Sequence, residues 1–195
     1  MSRLAYQRLY ALGKVLNIGC GDDPAGLGDN AVHVDIDRWR LPNFVQADCH
    51  CLPFENKVFD TAILGDVLEH VLSPERAVQE AARVARMIVI TVPEELALPS
   101  VGQHIAQGLS DRAAYYRKVH GYTETNDEAV IITHKKTDYR FLSAYPENVM
   151  PHDAHINRFD EAWIDRLISL SGMAVVDKAK VPENTWYNWL IHLEE

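Results

Sequence analysis

The sequence predicts an α/β protein built on a mostly parallel sheet with helices against its faces. Short apolar segments rich in β-branched residues alternate with helical segments, as buried parallel strands and their crossovers do. The chain has 195 residues, of which 47% are hydrophobic and 24% are charged. This length and composition fit one globular domain that can bury a sizeable core. We therefore expect a single domain over residues 1–195.

The first third of the chain supplies one helix and four strands. Residues 3–12 predict a short helix with apolar and aromatic residues at packing positions. Four short strands are expected to follow, at residues 14–18, 31–36, 43–47 and 58–64. The first strand runs into a glycine, and the second and third run into acidic residues. Because parallel sheets bind ligands beyond the carboxyl ends of their strands, these endings are candidate site positions.

A second helix and a fifth strand come next. Residues 73–85 predict a helix in which Ser73 suits the N-cap, Pro74 the first helical position and Glu75 the positive helix start. Residues 87–93 predict a buried strand that ends at a proline.

The segment from residue 94 to residue 158 lacks clean periodicity. A stretch of this length is typical of a lid or binding insertion, so we expect it to cover the substrate. Regular patterns return at residues 160–172, where an Asp cap and a Gly stop bound a helix. Residues 173–179 and 185–193 predict two closing strands that are antiparallel neighbours.

Charge and cysteine usage exclude several classes of protein. The formal net charge is −9, from 28 acidic and 19 basic residues. This argues against a nucleic-acid partner, because affinity for a phosphate backbone comes largely from clustered Lys and Arg. Three cysteines without a secretion signal indicate a reducing compartment and free thiols. No run of 18 apolar residues occurs, so we expect a cytoplasmic protein without a membrane span.

The turn after the first strand reads LNIGCGDDPAG, from Leu16 to Gly26. A dinucleotide-binding turn needs three glycines, and the corresponding positions hold Gly19, Gly21 and Pro24. The Gly-Lys-Ser/Thr of a P-loop is also missing, and the two aspartates of the turn would repel a pyrophosphate. A ligand that carries an ammonium and a sulfonium but no phosphate would not be repelled, and S-adenosylmethionine is such a ligand.

The next two strand ends support a nucleoside site. Asp35 ends the second strand, where an acid can accept both hydroxyls of a ribose. Asp48 follows the third strand and can accept a hydrogen bond from an adenine amino group. Only the 12 residues Gly19–Asn30 separate the first two strands, and they are too rich in Gly and Pro for a full crossover helix.

These motifs occur in an order that resembles a known family, the class I S-adenosylmethionine-dependent methyltransferases of the type 11 kind. The matching segments are LNIGCG (16–21), VDI (34–36), ADCHCLPF (47–54), FD (59–60), VLEHV (67–71), RV (83–84) and VP (92–93). The resemblance covers roughly residues 14–93. It implies a Rossmann-like methyltransferase fold with a mostly parallel seven-stranded sheet, an antiparallel final strand and S-adenosylmethionine as cofactor.

The resemblance also implies a cofactor site at the strand ends. The first group lies at the glycine turn and would face the methionine part of the cofactor: Asn17, Gly19, Cys20 and Gly21. The second group would meet the ribose and adenine: Asp35, Ile36, Asp48 and Cys49. The third would lie near the sulfonium: Gly65 and Asp66. Asn17 stands where many methyltransferases have an acid, and His70 of the LEH segment is expected to be partly structural.

Methyl transfer is an in-line displacement, in which a hydroxyl acceptor benefits from a general base. His155 is the first candidate and His152 the second, because both precede the closing helix. The alternative for each is an ordinary loop or capping histidine. Neither His152-Asp153-His155 nor Cys49-His50-Cys51 has a clear second ligand pair, so no metal is expected.

We therefore predict an enzyme that methylates an O or N atom of a small polar acceptor. A sugar or glycan precursor is one such acceptor, and a homodimer is one expected assembly. Two alternatives remain open. The chain could be a non-catalytic S-adenosylmethionine-binding regulatory or partner subunit, or a nicotinamide-dependent enzyme, which Pro24 opposes.

Overall fold

A computed structural model of the chain describes residues 1–71, 73–94, 157, 159–183 and 186–195. Most of the predicted insertion at 94–158, including His152 and His155, lies outside the described residues. The helices are α1 (Arg3–Leu9), α2 (Pro74–Val84) and α3 (Glu161–Ser171). The strands are β1 (Val15–Ile18), β2 (Ala31–Asp35), β3 (Phe44–Gln46), β4 (Phe59–Gly65), β5 (Ala85–Glu94), β6 (Ala174–Glu183) and β7 (Trp186–Glu194).

These strands form one seven-stranded sheet in the order β3-β2-β1-β4-β5-β7-β6. The pairs among β1 to β5 are parallel, whereas β7 runs antiparallel to both β5 and β6. The predicted α/β class, the mostly parallel sheet and the antiparallel final strand are therefore confirmed. The order places the carboxyl ends of β1, β2, β3 and β4 side by side, where a ligand can contact several loops at once.

The connection from β1 to β2 contains no α-helix. Its regular structure is a single 3₁₀ turn at Gly28–Asn30, as the broken sequence predicts. The chain nevertheless makes a parallel crossover, because Val15 pairs with Ala31 and Ile18 with Val34.

The ends of α2 lie close to the predicted ones. Ser73 is the N-cap residue and Pro74 occupies the first turn, as expected, but the Ser73 side chain makes no capping hydrogen bond. The Ser73 N–H instead donates to Nε2 of His50 at 3.2 Å. Strand β5 begins at Ala85, directly after the helix, because Ala85 already pairs with Phe59 of β4.

Helix α3 is bounded as the sequence predicts. The Asp160 carboxylate accepts the Trp163 N–H at 2.8 Å, and Gly172 ends the helix at a φ of 68°. These are the side-chain N-cap and the left-handed C-terminal residue that Asp and Gly supply.

The core has two parts, one on each face of the sheet. On one face α2 and α3 bury Val78, Ala81, Ile164 and Leu167 in the larger apolar cluster. On the other face Tyr6 of α1 packs with residues of β1, β4, β5 and β7 in the smaller cluster. Among the helices described, none combines the length and apolar character needed to cross a bilayer.

Candidate functional site

A cavity of about 190 Å³ opens at the carboxyl ends of the first four strands. Seven of the ten predicted cofactor residues line it: Gly19, Gly21, Asp35, Ile36, Asp48, Cys49 and Asp66. These residues come from four separate loops, so the fold brings together positions that the sequence analysis singled out one by one. Their contacts with a cofactor stay predictions.

The other three predicted residues do not line the cavity. Asn17 is buried in β1 and directs its amide to Asp23 and His33. Cys20 is also buried, and this burial, with the nearby Asp35, raises the pKa of its thiol to about 12. Gly65 packs against α1, where an added Cβ would lie 2.5 Å from Nε2 of Gln7.

The glycine turn depends on close backbone packing. Gly19 has a φ of +64°, and a Cβ there would lie 2.4 Å from a methyl group of Val67. Gly21 has a φ of +49°. Both positions therefore favour glycine, which has no Cβ to clash and adopts positive φ without strain.

Asp35 joins the glycine turn to the loop after β2. Its Oδ2 accepts the Gly21 N–H at 2.9 Å, and its Oδ1 accepts the Asp37 N–H at 3.0 Å. Burial raises the pKa of Asp35, and these two hydrogen bonds partly offset the rise. Each carboxylate oxygen has a second lone pair, so the group can still accept from a ligand hydroxyl.

Asp48 and His50 form a hydrogen-bonded pair in the loop after β3. Oδ1 of Asp48 is 2.7 Å from Nδ1 of His50 and also accepts the His50 N–H at 2.9 Å. Since Nε2 of His50 accepts from Ser73, the ring proton belongs on Nδ1, where it is donated to Asp48. Asp48, Cys49 and His50 place three possible metal-ligand atoms within 4.8 Å, but these hydrogen bonds account for the arrangement without an ion.

Asp66 is fixed by residues from α1 and β5. It has a φ of +56°, its N–H donates to Thr91 O at 2.9 Å, and its Oδ1 accepts the Thr91 hydroxyl at 3.0 Å. Its Oδ2 accepts from Nε of Arg3. Gln7 of α1 donates in turn to the Thr91 hydroxyl at 2.8 Å. The first helix therefore holds the carboxylate at the end of β4.

Several lining residues were not predicted as cofactor contacts: Val34, Asp37, Trp39, Ala47, His50, Val67, His70 and Val71. Most lie within a few residues of a predicted one, so the loop positions were the available signal. His70 was expected to be partly structural, and it also lines the cavity. Its Nε2 lies 4.0 Å from the buried carboxylate of Glu69.

The two aspartates of the glycine turn do not line the cavity. Asp22 is exposed, and Asp23 bonds to Asn17 and to the Gly28 N–H. The negative charge at the site comes instead from Asp35, Asp37, Asp48 and Asp66.

Comparison with known proteins gives one family match and many structural matches. A family model described as a methyltransferase domain matches residues 26–87. No curated protein sequence matches the chain significantly.

Three solved methyltransferases illustrate the structural likeness. An S-adenosylmethionine-dependent methyltransferase from Methanosarcina mazei is 16% identical, with 100% of this chain and 98% of that chain covered and a TM-score of 0.62. Magnesium protoporphyrin IX methyltransferase from Synechocystis, with bound S-adenosylhomocysteine, is 15% identical, with coverages of 98% and 80% and a TM-score of 0.54. The 1,6-didemethyltoxoflavin-N1-methyltransferase from Burkholderia thailandensis is 14% identical, with coverages of 99% and 76% and a TM-score of 0.59.

At these identities the structural likeness establishes the fold, which is the Rossmann-like fold of class I methyltransferases. The family match is to a methyltransferase domain and covers residues 26–87, which include β2, β3, β4 and α2 but not the turn at Gly19–Gly21. The predicted resemblance to S-adenosylmethionine-dependent methyltransferases is thus confirmed: over this segment the chain is similar to that enzyme class, whose cofactor is S-adenosylmethionine.

Proposed function

We propose that the cavity at the strand ends binds S-adenosylmethionine through the seven predicted residues that line it. One observation carries this proposal: Asp35, Asp48 and the Gly19–Gly21 turn were predicted separately and line the same cavity. In this arrangement the ribose hydroxyls donate to Asp35 and the adenine amino group donates to Asp48. The methionine part extends past the glycine turn toward Asp66.

The charge of the cavity favours this cofactor over a nucleotide that carries phosphates. Its described lining contains four carboxylates and no lysine or arginine. Such a lining attracts an ammonium and a sulfonium and repels a pyrophosphate. This supports the cationic cofactor independently of the missing third glycine and disfavours a nicotinamide dinucleotide.

When bound, the cofactor would supply a sulfonium methyl group. The acceptor oxygen or nitrogen would form the new bond to this carbon in line with the carbon–sulfur bond, which breaks and releases S-adenosylhomocysteine, and the acceptor proton would pass to a general base or to water. The protein contributes mainly by positioning. Arg3 and Thr91 hold Asp66 near the reacting end. Val67 and Val71 supply apolar walls beside it, which limit the access of water.

We add His70 to the predicted general bases. A hydroxyl acceptor needs a group that removes its proton, and histidine is the side chain most often used for that step. Both ring nitrogens of the cavity-lining His50 take part in hydrogen bonds, and His70 is the other histidine among the described residues that line the cavity. His155 and His152 remain the first and second candidates from the sequence and lie outside the described residues.

The acceptor is proposed to be a small polar molecule, with a sugar or glycan precursor as the first class to test. The net charge of −9 opposes a nucleic acid as the acceptor. A homodimer in solution stays a prediction, which light scattering on the purified protein would test.

The cofactor proposal is tested by isothermal titration with S-adenosylhomocysteine. We expect Asp35→Asn to weaken binding at least tenfold, since hydrogen bonds to a charged group contribute about 1.5–3 kcal/mol. Asp22→Asn is the matched control, because Asp22 belongs to the same turn but is exposed and does not line the cavity. Equal loss in both variants, or no binding by the unaltered protein, would overturn the proposed site.

Activity is tested separately with S-adenosylmethionine and a panel of sugars, amines and phenols. Formation of S-adenosylhomocysteine only in the presence of an acceptor supports a methyltransferase. Tight cofactor binding without turnover on any acceptor would favour the non-catalytic subunit instead.

A further inference from the structure

We propose that Asn17, Asp23 and His33 form a buried brace that replaces the absent crossover helix and positions the glycine turn. We call these three side chains the brace. The inference rests on the proposed function, because the turn is the part of the cofactor site that the brace would hold. It assigns Asn17 a positioning role rather than the direct cofactor contact that the sequence predicts.

Asn17 is the centre of the brace. Its side chain is buried in β1, and its Nδ2 lies 3.3 Å from Oδ1 of Asp23 and 3.3 Å from Nδ1 of His33. An ionised carboxylate only accepts hydrogen bonds, so Asn17 must direct its NH₂ group toward Asp23. The NH₂ group has two hydrogens, which provide one for each partner.

His33 and Gly28 close the arrangement. His33 is fully buried in β2 opposite Asn17, and its Nε2 donates to Gly28 O at 2.8 Å. The ring proton is therefore on Nε2, which leaves Nδ1 free to accept from Asn17. The Gly28 N–H donates to Oδ2 of Asp23 at 2.8 Å. These four hydrogen bonds form a closed ring across β1, β2 and their connection.

The brace acts on the glycine turn through Asp23. The Asp23 N–H donates to Cys20 O at 2.8 Å, so Asp23 ends the turn that contains Gly21. Gly21 in turn donates to Asp35 at 2.9 Å. A helix would normally satisfy the polar groups of such a connection, and buried polar groups need partners. Here side chains of the strands and the connection supply them.

This geometry explains why an amide stands where many members of the resembled family have an acid. A carboxylate at position 17 would face the carboxylate of Asp23 across about the same distance and would repel it. It would also lack the hydrogen that Nδ1 of His33 accepts. An amide meets both requirements.

The test replaces Asn17 by Asp, which changes the hydrogen-bonding group but not the size. We expect Asn17→Asp to weaken S-adenosylhomocysteine binding at least tenfold at pH 8 and to increase amide hydrogen exchange in residues 19–28. Asn30→Asp is the matched control, because Asn30 is exposed at the end of the same connection and should change neither measurement.

A rescue variant separates positioning from general destabilisation. In Asn17→Asp/Asp23→Asn, the new amide can donate to the new carboxylate and accept from Gly28. The exchange restores the hydrogen bond between positions 17 and 23 and the bond to Gly28, and only the contact with Nδ1 of His33 stays lost. We expect the double variant to bind S-adenosylhomocysteine more tightly than Asn17→Asp and less tightly than the unaltered protein, all at pH 8.

The outcomes are distinct. Wild-type affinity and exchange in Asn17→Asp would overturn the brace, and so would a double variant that binds no more tightly than Asn17→Asp. If the unaltered protein does not bind S-adenosylhomocysteine, the proposed function fails, and the exchange of residues 19–28 still decides whether the brace holds the turn.

Discussion

At the scale of single residues, Asp35 should control the pH dependence of cofactor binding. Burial raises its pKa above the usual 3.8. In the proposed site the ionised carboxylate would accept a hydrogen bond from the ribose, whereas the protonated form loses acceptor capacity. Affinity for S-adenosylhomocysteine should therefore be full above the raised pKa and fall as the pH drops through it, earlier than for an ordinary aspartate.

Titration calorimetry between pH 4.5 and 8 measures this effect, with Asp35→Asn as the reference. The stability of the free protein should change in the opposite direction. A carboxyl with a raised pKa in the folded state is destabilising when ionised, so its contribution worsens as the pH rises through that range. Identical pH profiles for the two proteins would contradict the prediction.

The three cysteines provide a second prediction. Cys49 lines the cavity, Cys51 is exposed and Cys20 is buried with a pKa of about 12. Since the thiolate is the reactive form, Cys20 should resist alkylation at pH 8. Saturating S-adenosylhomocysteine should slow iodoacetamide modification of Cys49 at least fivefold.

Cys51 is the internal control for that experiment. Its rate of modification, followed by peptide mass spectrometry, should not change with cofactor. If the rate of Cys49 modification were the same with and without S-adenosylhomocysteine, the adenine end of the ligand would lie elsewhere.

The residue scale also shows where sequence reasoning stops. The positions of Asp35 and Asp48 at the cavity were predictable because residues at the carboxyl ends of parallel strands lie at the ligand edge of the sheet. The contact of Asn17 with His33 was not predictable, because it depends on the register that sets position 17 opposite position 33. The resemblance predicts a cofactor contact for Asn17, whereas we propose a positioning role for it.

At the scale of elements, helix α2 fastens the loop that carries Asp48. The Arg83 guanidinium contacts both carboxylate oxygens of Glu80 at 2.8 Å, Phe54 O at 2.8 Å and Leu52 O at 2.9 Å. The Leu52 N–H donates to Glu80 at 2.9 Å. The LPF segment (52–54) and the RV segment (83–84) of the sequence therefore contact each other through Arg83. The contribution of this contact to the free energy of unfolding can be measured.

We expect Arg83→Ala to lower the free energy of unfolding by about 1–3 kcal/mol, the usual cost of removing hydrogen bonds to part-buried carbonyls. Chemical denaturation measures it. Arg83→Lys is the matched control, since it keeps the charge but cannot form the planar two-pronged contact, and it should lose most of the same stability. If Arg83→Lys were as stable as the unaltered protein, a positive charge at position 83 would be sufficient and the planar two-pronged contact would not contribute.

The pH dependence of the same pair has the opposite sign to that of Asp35. Hydrogen bonds from Arg83 lower the pKa of Glu80. A carboxyl whose pKa is lower in the folded state stabilises the fold when it is ionised. This contribution is complete above the unfolded pKa of about 4.5 and is lost as the pH falls through the lower pKa of the folded state. The stability difference between the unaltered protein and Arg83→Ala should therefore shrink in acid. A stability difference that stays constant with pH would contradict a stabilising contribution from the lowered pKa of Glu80.

Element boundaries show a second limit of the sequence. The cap and stop of α3 were correct because Asp160 and Gly172 act within their own turn. Ser73 is the N-cap of α2 as predicted, but the bond from its backbone N–H to His50, which is distant in the chain, could not be read from the local pattern. Strand β5 begins two residues earlier than predicted because Ala85 pairs with β4 as soon as the helix ends. A local sequence pattern predicts a contact only when the residue that completes the contact lies nearby in the chain.

At the scale of the whole molecule, the strand order could be inferred only in part. Alternating strands and helices predict a parallel sheet, and the two closing strands were expected to be antiparallel neighbours. The insertion of β7 between β5 and β6 follows from tertiary pairing that no local pattern encodes. The short crossover before β2 was predictable, because its Gly and Pro residues exclude a helix of useful length.

The distribution of charge over the molecule leads to the last prediction, which concerns ligand choice. Four carboxylates and no described lysine or arginine line the cavity, so adding a phosphate to a nucleoside should weaken binding. Adenosine and AMP form the matched pair, because they share adenine and ribose and differ by the 5′-phosphate. The phosphate would lie toward Asp66, where the methionine part of the cofactor carries positive charge.

We therefore expect the order of thermal stabilisation to be S-adenosylhomocysteine, then adenosine, then AMP. A ligand at 100 times its Kd stabilises the folded state by about 2.7 kcal/mol, which for a chain of this size raises Tm by roughly 5–11 °C. Added salt should narrow the gap between adenosine and AMP, because it screens the repulsion. If AMP or NADH stabilised the protein more than adenosine does, the cavity would be a phosphate site, and the cofactor assignment to this cavity would be wrong.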